Sequence, residues 1–440
     1  MAITVRKVET EAKDVQTLAE VKESVLAAAK AAKDAGRIVE LVAELDHKLY
    51  TLDEPLVFSA KENPELKNVR LSIRAAEGMR PIVWSNKSIT EPFYKVEGTE
   101  YYVCQLSKDE NGEYPKFRDL YMNMRRMRIA TSPEWRNPFP LLPEERDGKK
   151  ELEGIYIPYE YAEAIAKVGI ERAELKMYVQ WEHTTLHATG VDLAVTREHE
   201  GKKYALMTFG EDFKARYSCG LNRCNNTGNR ETFIKNHRAF LSEPGDFVYN
   251  ADEGKLYVVP PQNIGTCTFY YPTCENLLVF EDMEGVTVEG LTFTGVSSKY
   301  IVDNGYTAGQ SNCERVAKRL ETAAIFVKNA RDFTVRDCTF RSIGCNGIQM
   351  HGRTVTANIY DNKFTDIAMG GIFIGDYKRW PLVSVRTGTP EQIEEYFARV
   401  AYNVSIINNY FKSIAYDYPN AYPIYLSVAL RPREDPLQHH

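Results

Sequence analysis

A chain of 440 residues that sets 55 Lys and Arg against 61 Asp and Glu has a formal charge of −6, with the signs mixed and no basic tract. That balance excludes the phosphate grip that nucleic-acid binding needs, so no nucleic-acid partner is expected. No run approaches the roughly 18 consecutive apolar residues of a membrane span, so no membrane partner is expected either.

The opening MAITVRKVETEAKD has no apolar signal-peptide core, which points to the cytoplasm, or to a secreted or periplasmic protein whose leader has been removed. Residues 13–36 read as an amphipathic helix: Leu18, Val21, Val25 and Ala29 keep helical spacing, and Gly36 is a natural stop. Short extended runs follow at 38–41, 50–52, 55–58, 69–73 and 81–84, divided by turn residues. Residues 98–272 mix strand-like runs with Pro-rich and charged loops and show no period, which predicts an inserted β-rich domain. The eight Cys match no zinc spacing and read as free thiols, so no metal or cofactor is expected.

From 276 onward a period appears. The segments starting at Leu277, Ala324, Gly347 and Gly371 can be laid over one another, the last resuming at Asn403, and a fifth start follows at Pro423. Phe340 to Phe364 and Ile348 to Ile372 are both 24 residues apart. Each unit holds β-branched runs with two-residue alternation, which excludes helical solenoids and predicts a parallel β-helix. The domains are then 1–97 (capping helix and first coils), 98–272 (insert) and 273–440 (coils carrying a cleft).

Stacking makes columns. Phe293, Phe340, Phe364 and Phe411 form an interior aromatic ladder, and Asn362 and Asn409 continue a turn column from Cys338. In the first strand of each coil, alternation sends Ile325 and Val327, Ile348 and Met350, Ile372 and Ile374, Ile424 and Leu426 inward. The residues between them face out: Phe326, Gln349, Phe373 and Tyr425 in one column, Lys328, His351, Gly375 and Ser427 in the next. A strip of aromatic, amide and cationic groups suits a glycan, and the long segments 297–323, 377–401 and 415–422 border it.

The motifs GLTFTGV (290–296), DNGYTAGQ (303–310), AIFVKNARDFTVRDCTFRSIGCNGIQM (324–350) and DNKFTDIAMGGIFIGD (361–376) resemble those of right-handed parallel β-helix glycoside hydrolases of the pectate-lyase-like superfamily. The glycoside hydrolase family 141 type, an α-L-fucosidase and xylanase group, is the nearest match. FRDLYMNMRRMRIATSPEW (117–135) and EPGDFVYNADEGKLYVVPP (243–261) extend the likeness upstream. It implies an all-β fold, a right-handed parallel β-helix with an N-terminal capping helix and an inserted β-rich domain. Members of the group continue with further coils, so C-terminal coils are expected to be missing here, which would leave an edge for a homo-oligomer.

The implied activity is hydrolysis of glycosidic bonds in plant or host oligo- or polysaccharides by two carboxylates. Asp376, at the end of the Gly371 strand, is expected as nucleophile or base, and Asp417, in the loop before the last strand, as acid. Asp366 is the third catalytic candidate. Gln349, His351, Phe373, Lys328, Trp380, Tyr425, Asp303, Gln310 and Glu321 are expected to bind substrate. Two alternatives stand beside this: a β-helix polysaccharide lyase using Lys328, Arg353 or Arg379 with Ca2+, and a non-catalytic glycan-binding solenoid.

Overall fold

A computed structural model describes residues 17–139, 144–146, 149–151, 154–179, 182–210, 213, 230–308, 320–375, 389–397, 400–426 and 429–430. The chain divides into two compact units: Met1–Asn86, Pro272–Ser297 and Glu321–His440 form one, Lys87–Tyr271 and Ser298–Leu320 the other. No helix among the described residues is long and apolar enough to cross a membrane.

The first unit begins with the helix Leu18–Asp34. Thr17 and Glu20 close a capping box at its start, and Leu18, Val21, Val25, Ala29 and Ala32 bury one face. A parallel β-helix follows, with three faces. One face stacks Leu56, Leu278, Ile325, Ile348, Ile372 and Ile424 in register. The second stacks Leu41, Leu71, Val286, Phe333, Ala357 and Val404. The third stacks Tyr50, Val83, Phe293, Phe340, Phe364 and Phe411. Every pairing named is parallel, so the expected β-helix, its capping helix and the β-rich insert are all present.

Corners are made by residues that tolerate the left-handed region. Asp282, Asn329 and Gly352 have φ of 55°, 53° and 67° and let single long strands, such as Ala323–Arg336, carry two faces. The side chains of the corner column join successive coils: Asn329 Nδ2 donates to Asp282 Oδ1 at 2.9 Å, and Asn329 Oδ1 accepts from Arg353 N at 3.0 Å.

Inside, Phe293, Phe340, Phe364 and Phe411 stack with centroids 5.1, 4.6 and 4.9 Å apart. Asn362 accepts from Cys338 N at 3.0 Å and donates to Val335 O at 3.0 Å and Asn409 Oδ1 at 2.9 Å. It thus satisfies backbone groups that the turn leaves over. Gly347 and Gly371 do not sit in the left-handed region. They are glycine because a Cβ on Gly347 would stand 2.6 Å from Gly371 O, and one on Gly371 2.6 Å from Pro423 O.

One expected core pair is not buried. Ile424 and Leu426 are exposed, because among the described residues their sheet ends with them and nothing stacks on their far side.

The second unit is β-rich and largely antiparallel. One sheet runs in the order Trp135–Asn137, Arg230–Lys235, Glu174–Val179, Glu182–His199, Lys202–Phe209, Gly154–Pro158, with Tyr306–Ala308 paired to Glu182–His199. A smaller sheet holds Arg128–Ile129, Asp246–Asn250, Lys255–Val258, Tyr102–Gln105 and Phe93–Lys95.

Candidate functional site

The outward positions of the first face fall in the expected columns. Val57, Val279, Phe326, Gln349, Phe373 and Tyr425 share one, and Ser59, Glu281, Lys328 and His351 the next. The rings interlock along the strip. His351 lies between Phe326 at 5.6 Å and Phe373 at 5.7 Å; Phe373 stacks on Tyr425 at 4.7 Å, and Tyr425 faces Tyr422 at 6.3 Å.

The strip is not an open binding surface along its length, as alternation alone had suggested. Gln349 and His351 are 0% exposed, and Phe326 and Phe373 are also buried. Ring stacking covers the aromatic faces, and the polar pair is enclosed, with Gln349 Nε2 and His351 Nε2 hydrogen-bonded to each other. Surface remains at the two ends: Lys328 at one, Tyr422 and half-buried Tyr425 at the other.

The enclosed polar groups form one chain of hydrogen bonds. Asn346 Oδ1 accepts from Gly370 N at 2.9 Å, and its Nδ2 donates to Thr322 O and Gln349 Oε1, both at 3.2 Å. Gln349 Oε1 also accepts from Thr322 N at 3.2 Å, and Gln349 Nε2 lies 2.7 Å from His351 Nε2.

At the Lys328 end, Lys328 Nζ pairs with Glu281 at 3.1 Å, and Ser59 Oγ donates to Glu281 Oε2 at 3.0 Å. Burial pushes the Glu281 carboxyl up, but the hydrogen bonds and charge of Lys328 and Ser59 outweigh it and hold the group below the usual range. Sequence reasoning passed over Glu281. The signal was there: laying LLVFED over AIFVKN sets Glu281 opposite Lys328.

Asp417 lies in the loop that enters the last strand. That loop is pinned to the previous coil: Ala415 N donates to Met369 O at 2.9 Å, and Asp417 N and Tyr418 N donate to Ala368 O at 3.2 and 3.1 Å. In sequence Asp417, half-buried, falls between exposed Tyr416 and buried Tyr418.

The other candidates are not all brought together. Asp366 occupies a third-face corner with φ 54°, beside the equivalent left-handed Ser342 and Ser413, which is a turn position. Asp303 belongs to the second unit and pairs with Lys116 at 3.0 Å. The Glu321 side chain is exposed, while its carbonyl accepts from Asn276 Nδ2 at 3.0 Å. Asp376, Gln310, Trp380, Arg379 and Ser427 lie outside the described residues. Among the described residues no three His, Cys, Asp or Glu side chains gather as a metal site would require.

The second unit has a feature of its own. Arg118 grips Glu174 through both oxygens, with the longer contact at 2.8 Å, and His187 Nε2 lies 3.7 Å from the same carboxylate. Burial would raise the Glu174 carboxyl, but Arg118 and His187 overcome it and hold it far below the usual range. A narrow pocket opens beside the pair, walled by Phe117, Tyr249, Phe247 and Arg172.

No family model matches the chain, and no curated protein matches it. A solved structure described as "Glycoside hydrolase" superposes with a TM-score of 0.69 at 17% identity, over 91% of this chain and 70% of that one. Another, described as "The complex structure of XylC with xylose", reaches 0.34 at 10% identity over 90% and 52%, too low for argument. The chain shares the fold of the first of these structures, built on parallel β-sheets.

Proposed function

We propose that the chain hydrolyses glycosidic bonds by a two-carboxylate mechanism, with Asp417 as general acid and Asp376 as nucleophile or base. The supporting observation is the Ala415–Tyr422 loop. It pins the Asp417 backbone to Ala368 and carries Tyr422, which faces the accessible end of the Phe373–Tyr425 stack. A sugar ring offers an apolar face to such rings while its hydroxyls meet a carboxylate.

The acid must hold a proton near neutral pH and deliver it to the leaving oxygen; the second carboxylate attacks the anomeric carbon directly or through water. A carboxyl separation of about 5–5.5 Å would give retention and about 6.5–9.5 Å inversion. Asp366, at its corner, is the reserve carboxylate. Tyr425 and Lys328 are the substrate contacts with exposed surface, and Gln349, His351 and Phe373 support them from within.

The test is release of reducing ends from a panel of oligosaccharides by the full chain, and by Asp417→Asn and Asp376→Asn. Each substitution should lower kcat by about 10²–10⁴-fold. Unchanged hydrolysis in both refutes the assignment. Unsaturated products abolished by a chelator would instead identify a lyase, and binding without cleavage a lectin-like solenoid.

A further inference from the structure

His237 belongs to the second unit and has no exposed surface. Both nitrogens of its ring meet backbone groups. Ala239 N donates to Nδ1 at 3.1 Å, and Nε2 lies 2.7 Å from Gly169 O. A backbone N–H can only donate and a carbonyl can only accept. Nδ1 therefore keeps its lone pair and Nε2 carries the proton. Only the neutral ring makes both bonds.

The ring ties together two segments that are far apart in the chain. In the first, the helix Tyr159–Val168 ends at Gly169 and turns through Glu171, with φ 45°, into the strand Glu174–Val179. In the second, the strand Arg230–Lys235 leaves through Asn236, with φ 54°, into the short 3-10 turn Arg238–Phe240, which His237 caps. Two further bonds join the same segments: Arg238 Nε donates to Glu171 Oε1 at 2.6 Å, and Asn236 Nδ2 donates to Arg172 O at 3.1 Å. Arg172 and Asn236 are also wall residues of the narrow pocket beside Arg118 and Glu174.

A second proton on the ring would sit on Nδ1, pointed at the Ala239 N–H, and the cap would be lost. Burial opposes the charged ring, and Arg238 opposes it too. The Gly169 carbonyl and the Glu171 carboxylate favour it, but burial prevails and holds the imidazole below the ordinary histidine range. The other groups packed there are aromatic. Phe240 lies 6.2 Å from the His237 ring, and Tyr161, whose phenol burial pushes up, lies 5.3 Å from Phe240.

We propose that His237 is an acid-sensitive latch: neutral, it fastens the Gly169–Arg172 turn to the Asn236–Leu241 turn; protonated, it lets go and frees that wall of the pocket. The latch is independent of the hydrolase reading. A histidine held neutral in the folded chain contributes its full stability above the unfolded value near 6.5, and loses it as pH falls below that value.

Nitrogen-15 NMR of the full chain should show His237 with hydrogen on Nε2 and a bare Nδ1, still neutral near pH 6.5, where a free imidazole is half protonated. Native-state hydrogen exchange, corrected for the intrinsic effect of pH, reads the latch itself. From about pH 7.5 to about pH 5, residues 169–172 and 236–241 should lose protection at least about tenfold, while 175–179 and 230–234 keep theirs. His237→Asn still accepts from Ala239 N but does not titrate, so exchange at its two turns should not respond to pH.

Hydrogen on Nδ1, or half-protonation near 6.5, overturns the proposal. So does wild-type protection at the two turns that is equal at both pH values, that falls evenly across the whole second unit, or that falls as much in the Asn variant. Should that variant not fold, the wild-type spectra and exchange still decide.

Discussion

Gly371→Ala adds one methyl group between two coils. Its carbon would lie 2.6 Å from Pro423 O and 2.7 Å from Phe411 Cε1, where ordinary contact begins at 3.4 Å. Relief therefore needs about 0.8 Å from Pro423 O (3.4 − 2.6 = 0.8) and about 0.7 Å from Phe411 (3.4 − 2.7 = 0.7). Neither neighbour is free to give it. Pro423 O accepts from Ile372 N at 2.9 Å, and the Phe411 ring is stacked on Phe364 at 4.9 Å. Overpacking of this kind costs about 1–3 kcal/mol, and the reduced freedom of the unfolded chain returns about 0.4–1 kcal/mol. The net loss is about 1–2 kcal/mol. Because Gly371 does not need a positive φ, the cost in the folded state is steric and not backbone strain. For a cooperative unit of this size, thermal unfolding should fall by about 2–8 °C. Gly347→Ala should behave alike. A melting temperature that is unchanged or raised in both variants would refute the close-approach explanation of Gly347 and Gly371.

Arg118→Met should destabilise the protein by about 3–5 kcal/mol in denaturant unfolding, because it strands the buried Glu174 carboxylate. The Glu174 carboxyl is depressed in the folded state, so its contribution is fully present above the unfolded carboxyl range, near 4.5. It is lost as pH falls toward the folded value. The stability gap between wild type and Glu174→Gln should accordingly shrink as pH drops below that range. Asn362→Ala leaves the Cys338 N–H and Val335 carbonyl without their partner and should cost about 2–4 kcal/mol by urea unfolding. Tyr425→Ala, on the proposed hydrolysis, should raise KM about three- to tenfold through lost stacking, with kcat little affected.

The faces and ladders of the solenoid could be read from the chain because they depend on spacing alone. A 24-residue interval and two-residue alternation suffice to place Phe340 over Phe364 and Ile348 beside Ile372. The enclosure of Gln349 and His351 could not be read that way. Alternation says that a side chain leaves the core, not that it stays in water. The orientation of Gln349 is set by Thr322, 27 residues earlier, across a coil boundary that no local pattern marks. Glu281 follows from the same alignment of coils, one coil before Lys328 in its column. The strand Glu182–His199 escaped notice because its first half is a run of His and Thr, its apolar alternation at Val191, Leu193 and Val195 begins only after Gly190, and its ladder shifts register near that glycine.

The ladders also set how this solenoid tolerates change in length. Asn362 bonds to Cys338, 24 positions back, and to Asn409, 47 positions on, so each coil presents its neighbours with the same fittings. Excising a whole coil, residues 347–370, would bring Gly371 to the place of Gly347 and set Asn409 under Cys338. Excising a single residue from the Asn346–Tyr360 strand would turn its downstream side chains inside out. The larger deletion should therefore leave the better-folded protein, and such an architecture can gain or shed a rung of its wall more easily than it can lose one amino acid from it.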